Sequence, residues 1–206
     1  RGIPFRSECS TDVLKKDVQN LIRTHVFEKE HKGVLTGSVL TDVEYVLVTG
    51  RVHEKHTEGG DLREATYRAI RQALMKAENI LLEPYLSFSV RCNISMSGRI
   101  MNDIKRMNGV FLNPDRDGEF VIINGRAPAD LLTKYAEELI TISGGRTHML
   151  LNFDGYERCN EQARILEEYN YQPEHDIENT PDSVFCAKGA GFTVKWYEVE
   201  DYIHCK

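Results

Sequence analysis

The side chains with the greatest chemical capacity at short spacing lie in one polar stretch, His53-Glu-Lys-His-Thr-Glu-Gly-Gly60, which holds no aliphatic residue. His53 and His56 stand three apart beside Glu54 and Glu58, a pattern that would serve two ligands of a metal ion. No third ligand is identifiable, and a solvated polar loop accounts for the pattern better. Lys55 lies between the histidines, and Arg51 and Arg63 flank them, a set that suits contact with phosphate or base edges more than cation binding. The thiols Cys9, Cys92, Cys159, Cys186 and Cys205 contain no CxxC pair. Cys159, Cys186, His204 and Cys205 would make a metal set only if folding gathered them, and ordinary thiols are the expectation.

A phosphate-cradling GxxxxGKS/T, a GxSxG elbow and an HExxH pair are absent, and no lysine follows Gly144-Gly145 or Gly189-Ala-Gly191 at the P-loop spacing. The chain is therefore expected to be no enzyme by itself and to hold no cofactor. Tyr156, Trp196 and Tyr197 have faces on which bases stack, but their apolar neighbours point to core packing for most of them.

Several elements must position these groups. Val13, Leu14, Val18, Leu21, Ile22 and Val26 recur at helical spacing, with Asp12 as N-cap and Gly33 as stop. Residues 39–49 are rich in β-branched and aromatic types, as a strand requires. The polar loop follows, and Asp61 opens a second helix with Leu62, Ala65, Ala69, Ile70, Ala73 and Ala77 on its apolar side. Its other flank carries Arg63, Arg68, Arg71 and Lys76, a side that either faces water or meets an anionic partner. Glu83-Pro84 interrupts the pattern, because a proline disfavours helix before it and cannot donate to a central ladder. Beyond it come a strand from Tyr85 to Cys92, a helix from Met96 to Met107, a strand from Val110 to Leu112 and a hairpin turn at residues 113–118 into Phe120–Ile123. A helix lined by Leu132, Tyr135, Ala136 and Leu139 and a strand over 147–152 complete the series. The order βαββαβ is the ferredoxin-like split βαβ, two helices on one face of an antiparallel sheet. The remainder alternates acidic helical signal, a linker over 170–182 and an apolar-aromatic end expected to dock on a folded surface.

With 206 residues, 41% hydrophobic, the chain is long enough for two small cores. Its net charge of -6 is uneven: from residue 152 onward there are 5 basic and 12 acidic residues. That excludes a protein that coats nucleic acid by bulk charge, while leaving local basic contacts open in the first three quarters. No stretch approaches the roughly 18 to 20 apolar residues of a membrane helix, and widely spaced thiols suit a reducing cytoplasm. The chain opens at Arg1 and reads as a piece of something longer.

Taken in order, Gly33-Val-Leu-Thr-Gly37, Thr41-Asp-Val43, Thr49-Gly50, His53 to Thr57 and Leu81-Leu-Glu-Pro84 resemble the fourth domain of bacterial elongation factor G and its relatives. Glu83 to Tyr156 resembles the fifth domain, including Gly125-Arg-Ala-Pro128, Tyr135 and Gly144-Gly-Arg146. The phrase Leu81-Leu-Glu-Pro-Tyr-Leu-Ser-Phe88 is most similar to the tetracycline-resistance ribosomal protection proteins, and Pro181 to Trp196 resembles the extension of clostridial-type members.

The resemblance implies an α+β chain of three parts. Residues 1–82 would form an α/β-sandwich like ribosomal protein S5 domain 2, lacking its first strand and one tip loop. Residues 83–157 would form the ferredoxin-like sandwich, and 158–206 a helical extension. It further implies a monomeric, cytoplasmic protein with no membrane contact that binds the ribosome, meeting the decoding region of the small-subunit rRNA and the large-subunit rRNA near the stalk base. His53, Glu54, Lys55, His56 and Thr57 would be one tip loop, supported by Arg51, Arg63, Arg68 and Arg71. GTP and magnesium would belong to a GTPase domain of the full-length parent. Where the protection proteins carry Ser-Pro-Val in this loop, Glu54, Lys55 and His56 stand here, while His53 matches the histidine of the elongation factors. Drug release and ordinary translocation are thus both open, and a ferredoxin-like ligand- or partner-binding protein is the alternative of another class.

Overall fold

The structure is a computed structural model that describes residues 4–53, 57 and 59–203. Two compact units form: residues 1–79 with 163–206, and residues 80–162. Residues 163–206 group with the N-terminal residues in the first of these units. No described helix is long and apolar enough to cross a membrane.

In the first unit, β1 (Phe5–Ser7) pairs in parallel with β2 (Tyr45–Leu47). The expected strand over 39–49 shrinks to these three residues because Asp42 adopts φ 56, a left-handed conformation that ends the extended run, while Val39 bridges Lys32. Helix α1 spans Lys16–Phe27, shorter than its apolar spacing suggests. Val13 and Leu14 precede it in a turn in which both amides donate to the Ser10 carbonyl, so Asp12 is not the cap. Leu14 is buried against Gly50, and the buried Gln19 donates to the carbonyl of Leu14 at 2.7 Å. The chain leaves α1 at Glu28, whose amide bonds Thr24, well before Gly33.

Helix α2 spans Gly59–Lys76. Its buried side is not the alanine stripe: Ala65, Ala69 and Ala73 are exposed, while Thr66 and Arg71 are buried. The extension contributes α5 (Gln162–Tyr169), a 3-10 turn at Ile177–Asn179 and the antiparallel hairpin β8 (Ser183–Ala187) and β9 (Ala190–Val194). It is therefore less helical than expected. Of its apolar end, Val194 and Val199 are buried, whereas Phe185, Phe192 and Tyr202 cluster with one another at ring separations of 5.6–6.4 Å.

The second unit has the expected βαββαβ order. Strands β3 (Leu82–Asn93), β4 (Val110–Phe111), β6 (Phe120–Pro128) and β7 (Met149–Arg158) make an antiparallel sheet in the order β4-β6-β3-β7, and β5 (Asp115–Asp117) adds a hairpin to β6. Helix α3 (Ile94–Arg106) starts where the Asn93 carboxamide accepts the Ser95 amide, and α4 (Ala129–Ile142) starts directly after Pro128. Alternate strand residues Phe88, Val90, Cys92, Val121 and Ile123 meet Ile100, Ile104, Leu132, Tyr135 and Leu139 at helical spacing, and this is the core. Pro84 lies inside β3, contrary to the expected interruption. It pairs only toward β7, beside an irregularity between Pro84 and Leu86, and β6 pairing begins at Tyr85, so its missing N–H breaks no central ladder.

Gly125 is required by close approach: a Cβ there would sit 2.3 Å from the Val110 carbonyl and 2.7 Å from the Phe88 ring. Gly125→Ala is accordingly expected to destabilise the second unit by about 2 kcal/mol or more, measured as a lower denaturation midpoint in urea with a near-native far-UV spectrum.

Candidate nucleic-acid interface

The segment from Val48 to Gly59 joins β2 to α2 and carries the residues singled out in the sequence. Arg51 and His53 are exposed. The His53 amide donates to the Thr57 hydroxyl at 3.0 Å, and the Thr57 amide donates to the His53 carbonyl at 3.0 Å. Glu54, Lys55 and His56, three of the five tip-loop candidates, lie outside the described residues, as does Glu58.

At the end of α1, four side chains converge. The Glu28 Oε1 accepts the Tyr67 hydroxyl at 2.7 Å, the Arg63 Nε–H at 2.7 Å and a bond with His25 Nδ1 at 2.9 Å. Tyr67 and Arg63 are four apart on α2, so one helix face presents both to the end of α1. The Tyr67 hydroxyl hydrogen bond, followed by Arg63 and His25, holds the Glu28 carboxyl at about 2, and burial together with Glu28 pushes the Tyr67 phenol up to about 12. Arg63 is thus a half-exposed cation anchored to a carboxylate.

Arg68 and Arg71 are positioned differently from a water-facing basic flank. Arg71 is 4% exposed. Its guanidinium donates to the Lys32 carbonyl at 2.9 Å, the Tyr171 hydroxyl at 2.7 Å and the Pro173 carbonyl at 3.3 Å. Tyr171 in turn donates to Asp176 at 2.7 Å. Arg68 donates to the Thr180 carbonyl at 2.9 Å and pairs with Glu64 at 3.0 Å. Gln72 reaches the Pro181 carbonyl and the Ser183 hydroxyl, and Lys76 pairs with Glu200. One stripe of α2 therefore holds the extension. In this arrangement Arg71 is not a surface cation, a correction to the set of supporting contacts, and Arg68 is largely engaged. Gly37 completes the fit: it adopts φ +71, and a Cβ there would lie 2.9 Å from the Tyr171 ring.

The aromatic candidates separate. Trp196 is half-buried with its indole N–H on Glu174 at 3.1 Å. Tyr156 and Tyr197 are 57% and 60% exposed, so core packing does not describe them. Tyr156 meets Phe153 edge-on at 5.5 Å. Cys92 and Cys159 are buried and Cys186 is exposed, while His204 and Cys205 lie outside the described residues. Among the described residues no three metal-ligating side chains gather. Sequence reading missed Glu28, Tyr67, Tyr171 and Asp176. The four-residue spacing of Arg63 and Tyr67 was a signal for a shared acceptor, but nothing local pointed to Glu28.

Residues 1–78 match the family model for elongation factor G, domain IV, and residues 80–165 match that for the elongation factor G C-terminus. The chain belongs to the elongation factor G family, of which it holds these two domains. It is 27% identical over 173 residues to the tetracycline resistance protein TetP of Clostridium perfringens, covering 84% of this chain and 26% of that protein. The crystal structure of a Thermus thermophilus protein is similar with a TM-score of 0.71 at 22% identity, covering 82% of this chain and 26% of that one. The chain thus spans about a quarter of the length of these relatives.

Two outcomes are expected. Because the folded Glu28 carboxyl lies below its ordinary value of 4.5, its contribution to stability is complete above that value and is lost as pH falls toward about 2. Glu28→Gln should flatten that part of an acid-unfolding profile followed by circular dichroism. Arg71→Ala should remove the donors that serve the Tyr171 hydroxyl and two carbonyls, at a cost on the order of 3 kcal/mol, seen as faster proteolytic cleavage within residues 170–182.

Proposed function

We propose that this chain is the ribosome-binding C-terminal region of a translational GTPase of the tetracycline-resistance ribosomal protection type, whose domain IV reaches the decoding region to dislodge the drug. The observation that carries the reading is the continuous similarity to the tetracycline resistance protein TetP across 173 residues, in a chain built from elongation factor G domains. In this reading His53, Glu54, Lys55, His56 and Thr57 meet small-subunit rRNA, with Arg51 and Arg63 behind them, and the second unit meets large-subunit rRNA near the stalk base. Contacts from two bodies add within one molecule, so modest individual contacts suffice for binding. GTP and magnesium are supplied by the catalytic domain of the parent, and the protein works in the cytoplasm as a monomer.

A second reading, translocation by an elongation factor G-like protein, is favoured by one feature: Glu54-Lys55-His56 replaces Ser-Pro-Val, and His53 matches the elongation factors. Expression of the complete gene in a sensitive host separates the two. Growth under tetracycline supports protection, whereas unchanged sensitivity with rescue of an elongation factor defect supports translocation. In either case the double substitution His53→Ala with Lys55→Glu is expected to lower ribosome association of the full-length protein at least tenfold in a sedimentation assay, with thermal stability kept within about 0.5 kcal/mol because the stretch holds no aliphatic residue. Undiminished association would overturn the tip assignment.

A further inference from the structure

A cavity of about 100 Å³ lies in the first unit, beneath the 3-10 turn at Ile177–Asn179 and against the stripe of α2 that holds the extension. Four cations, Lys29, Lys32, Arg68 and Arg71, line it, against two carboxylates, Glu64 and Glu178. His31, also at the wall, is held below its ordinary range by burial and is neutral at pH 7. The lining therefore has a surplus of two positive charges.

Three of the four cations are fixed by bonds of their own. Lys29 donates to the Glu178 carbonyl at 2.8 Å and sits 5.1 Å from the Tyr67 ring, Arg68 donates to the Thr180 carbonyl, and Arg71 is bound through both terminal nitrogens. Each retains donor capacity, since an ammonium has three N–H groups and a guanidinium five. Among the described residues the buried Arg71 Nε has no hydrogen-bond partner, an uncommon state for such a donor. Preorganised cations with spare donors around a space of this size suit a compact tetrahedral oxyanion, to which guanidinium groups bind through paired N–H groups.

We propose that this cavity binds a phosphate group, held by Lys29, Lys32, Arg68 and Arg71. The group comes either from a small phosphate compound or from a phosphodiester of RNA. The site is distinct from the tip loop, and it stands or falls independently of the ribosome reading.

The test titrates inorganic phosphate into the 206-residue chain at constant ionic strength, with chloride as the replaced ion, and follows Tm by calorimetry. A saturable rise of several degrees with half-saturation in the millimolar range is expected. Arg68→Gln and Lys29→Gln, each checked for native circular dichroism, should each weaken that half-saturation at least fivefold. Lys76→Gln, which removes a cation of α2 that does not line the cavity, should leave it unchanged. No saturable rise, or an equal response in the Arg68 and Lys29 variants, overturns the proposal. A labelled RNA oligonucleotide separates the two sources. Displacement by phosphate from the wild type but not from Arg68→Gln identifies a phosphodiester, and phosphate binding without displacement identifies a small phosphate compound.

Discussion

The first unit depends on one buried charge. Removing a guanidinium from water costs several kcal/mol, and the cost is offset only where acceptors are already placed for its N–H groups. Arg71 finds the Lys32 carbonyl on one side and the Tyr171 hydroxyl and Pro173 carbonyl on the other, so residues about 40 and 100 positions away must come to it together. Tyr171 then passes the demand to Asp176, which also accepts the side chain and the backbone amide of Asn179. The left-handed turn at Gly37 leaves room for the Tyr171 ring. The place of the extension is thus encoded in α2, by polar geometry in which few alternative placements would satisfy the same donors.

The second unit is held by the opposite means. Its buried residues are aliphatic and aromatic, packed between one sheet face and two helices, and shape decides the fit. Tyr135 is the one hydroxyl-bearing aromatic in that cluster, and its hydroxyl reaches Asp103 at 3.1 Å, near the surface side of α3. The outer sheet face carries Arg126, bound to both Asp154 and Glu157 at 2.8 Å and lying 5.1 Å from the Tyr85 ring. An antiparallel sheet covered on one face by helices tolerates this arrangement.

The contrast explains what could be read in advance. In the second unit alternation along strands and three-to-four spacing along helices report burial directly, so Ile100, Ile104, Leu132 and Leu139 were legible as core and the βαββαβ order followed. In the first unit the same reasoning assigned the wrong side of α2, because periodicity scores apolarity and the buried face there carries an arginine. Ala65, Ala69 and Ala73 bury little area wherever they point, so they exert a weak pull on the helix. The acceptors that make Arg71 a buried residue lie in a segment of no regular pattern, which sequence spacing cannot place. The same holds for the candidate site. His53, Arg51 and Arg63 were legible from type and position, whereas the Glu28 carboxylate that anchors Arg63 belongs to the end of another helix.

The charge map acquires a different sense once the extension is in place. From residue 152 onward acidic residues exceed basic ones by seven, which by itself would repel RNA. Part of that acidity is spent within the molecule: Glu200 meets Lys76, Asp182 meets Lys195, and Asp176 is bound to Tyr171 and Asn179. The stripe of α2 that carries Arg68 and Arg71 is bonded to the extension's own carbonyls at Thr180 and Pro173. On the proposed reading, a nucleic-acid strand finds its cations in the exposed Arg51 and the half-exposed Arg63. The extension bonds α2 at Arg68, Arg71, Gln72 and Lys76, so on that reading Arg63, nearer the start of the helix, is the side chain it leaves to RNA.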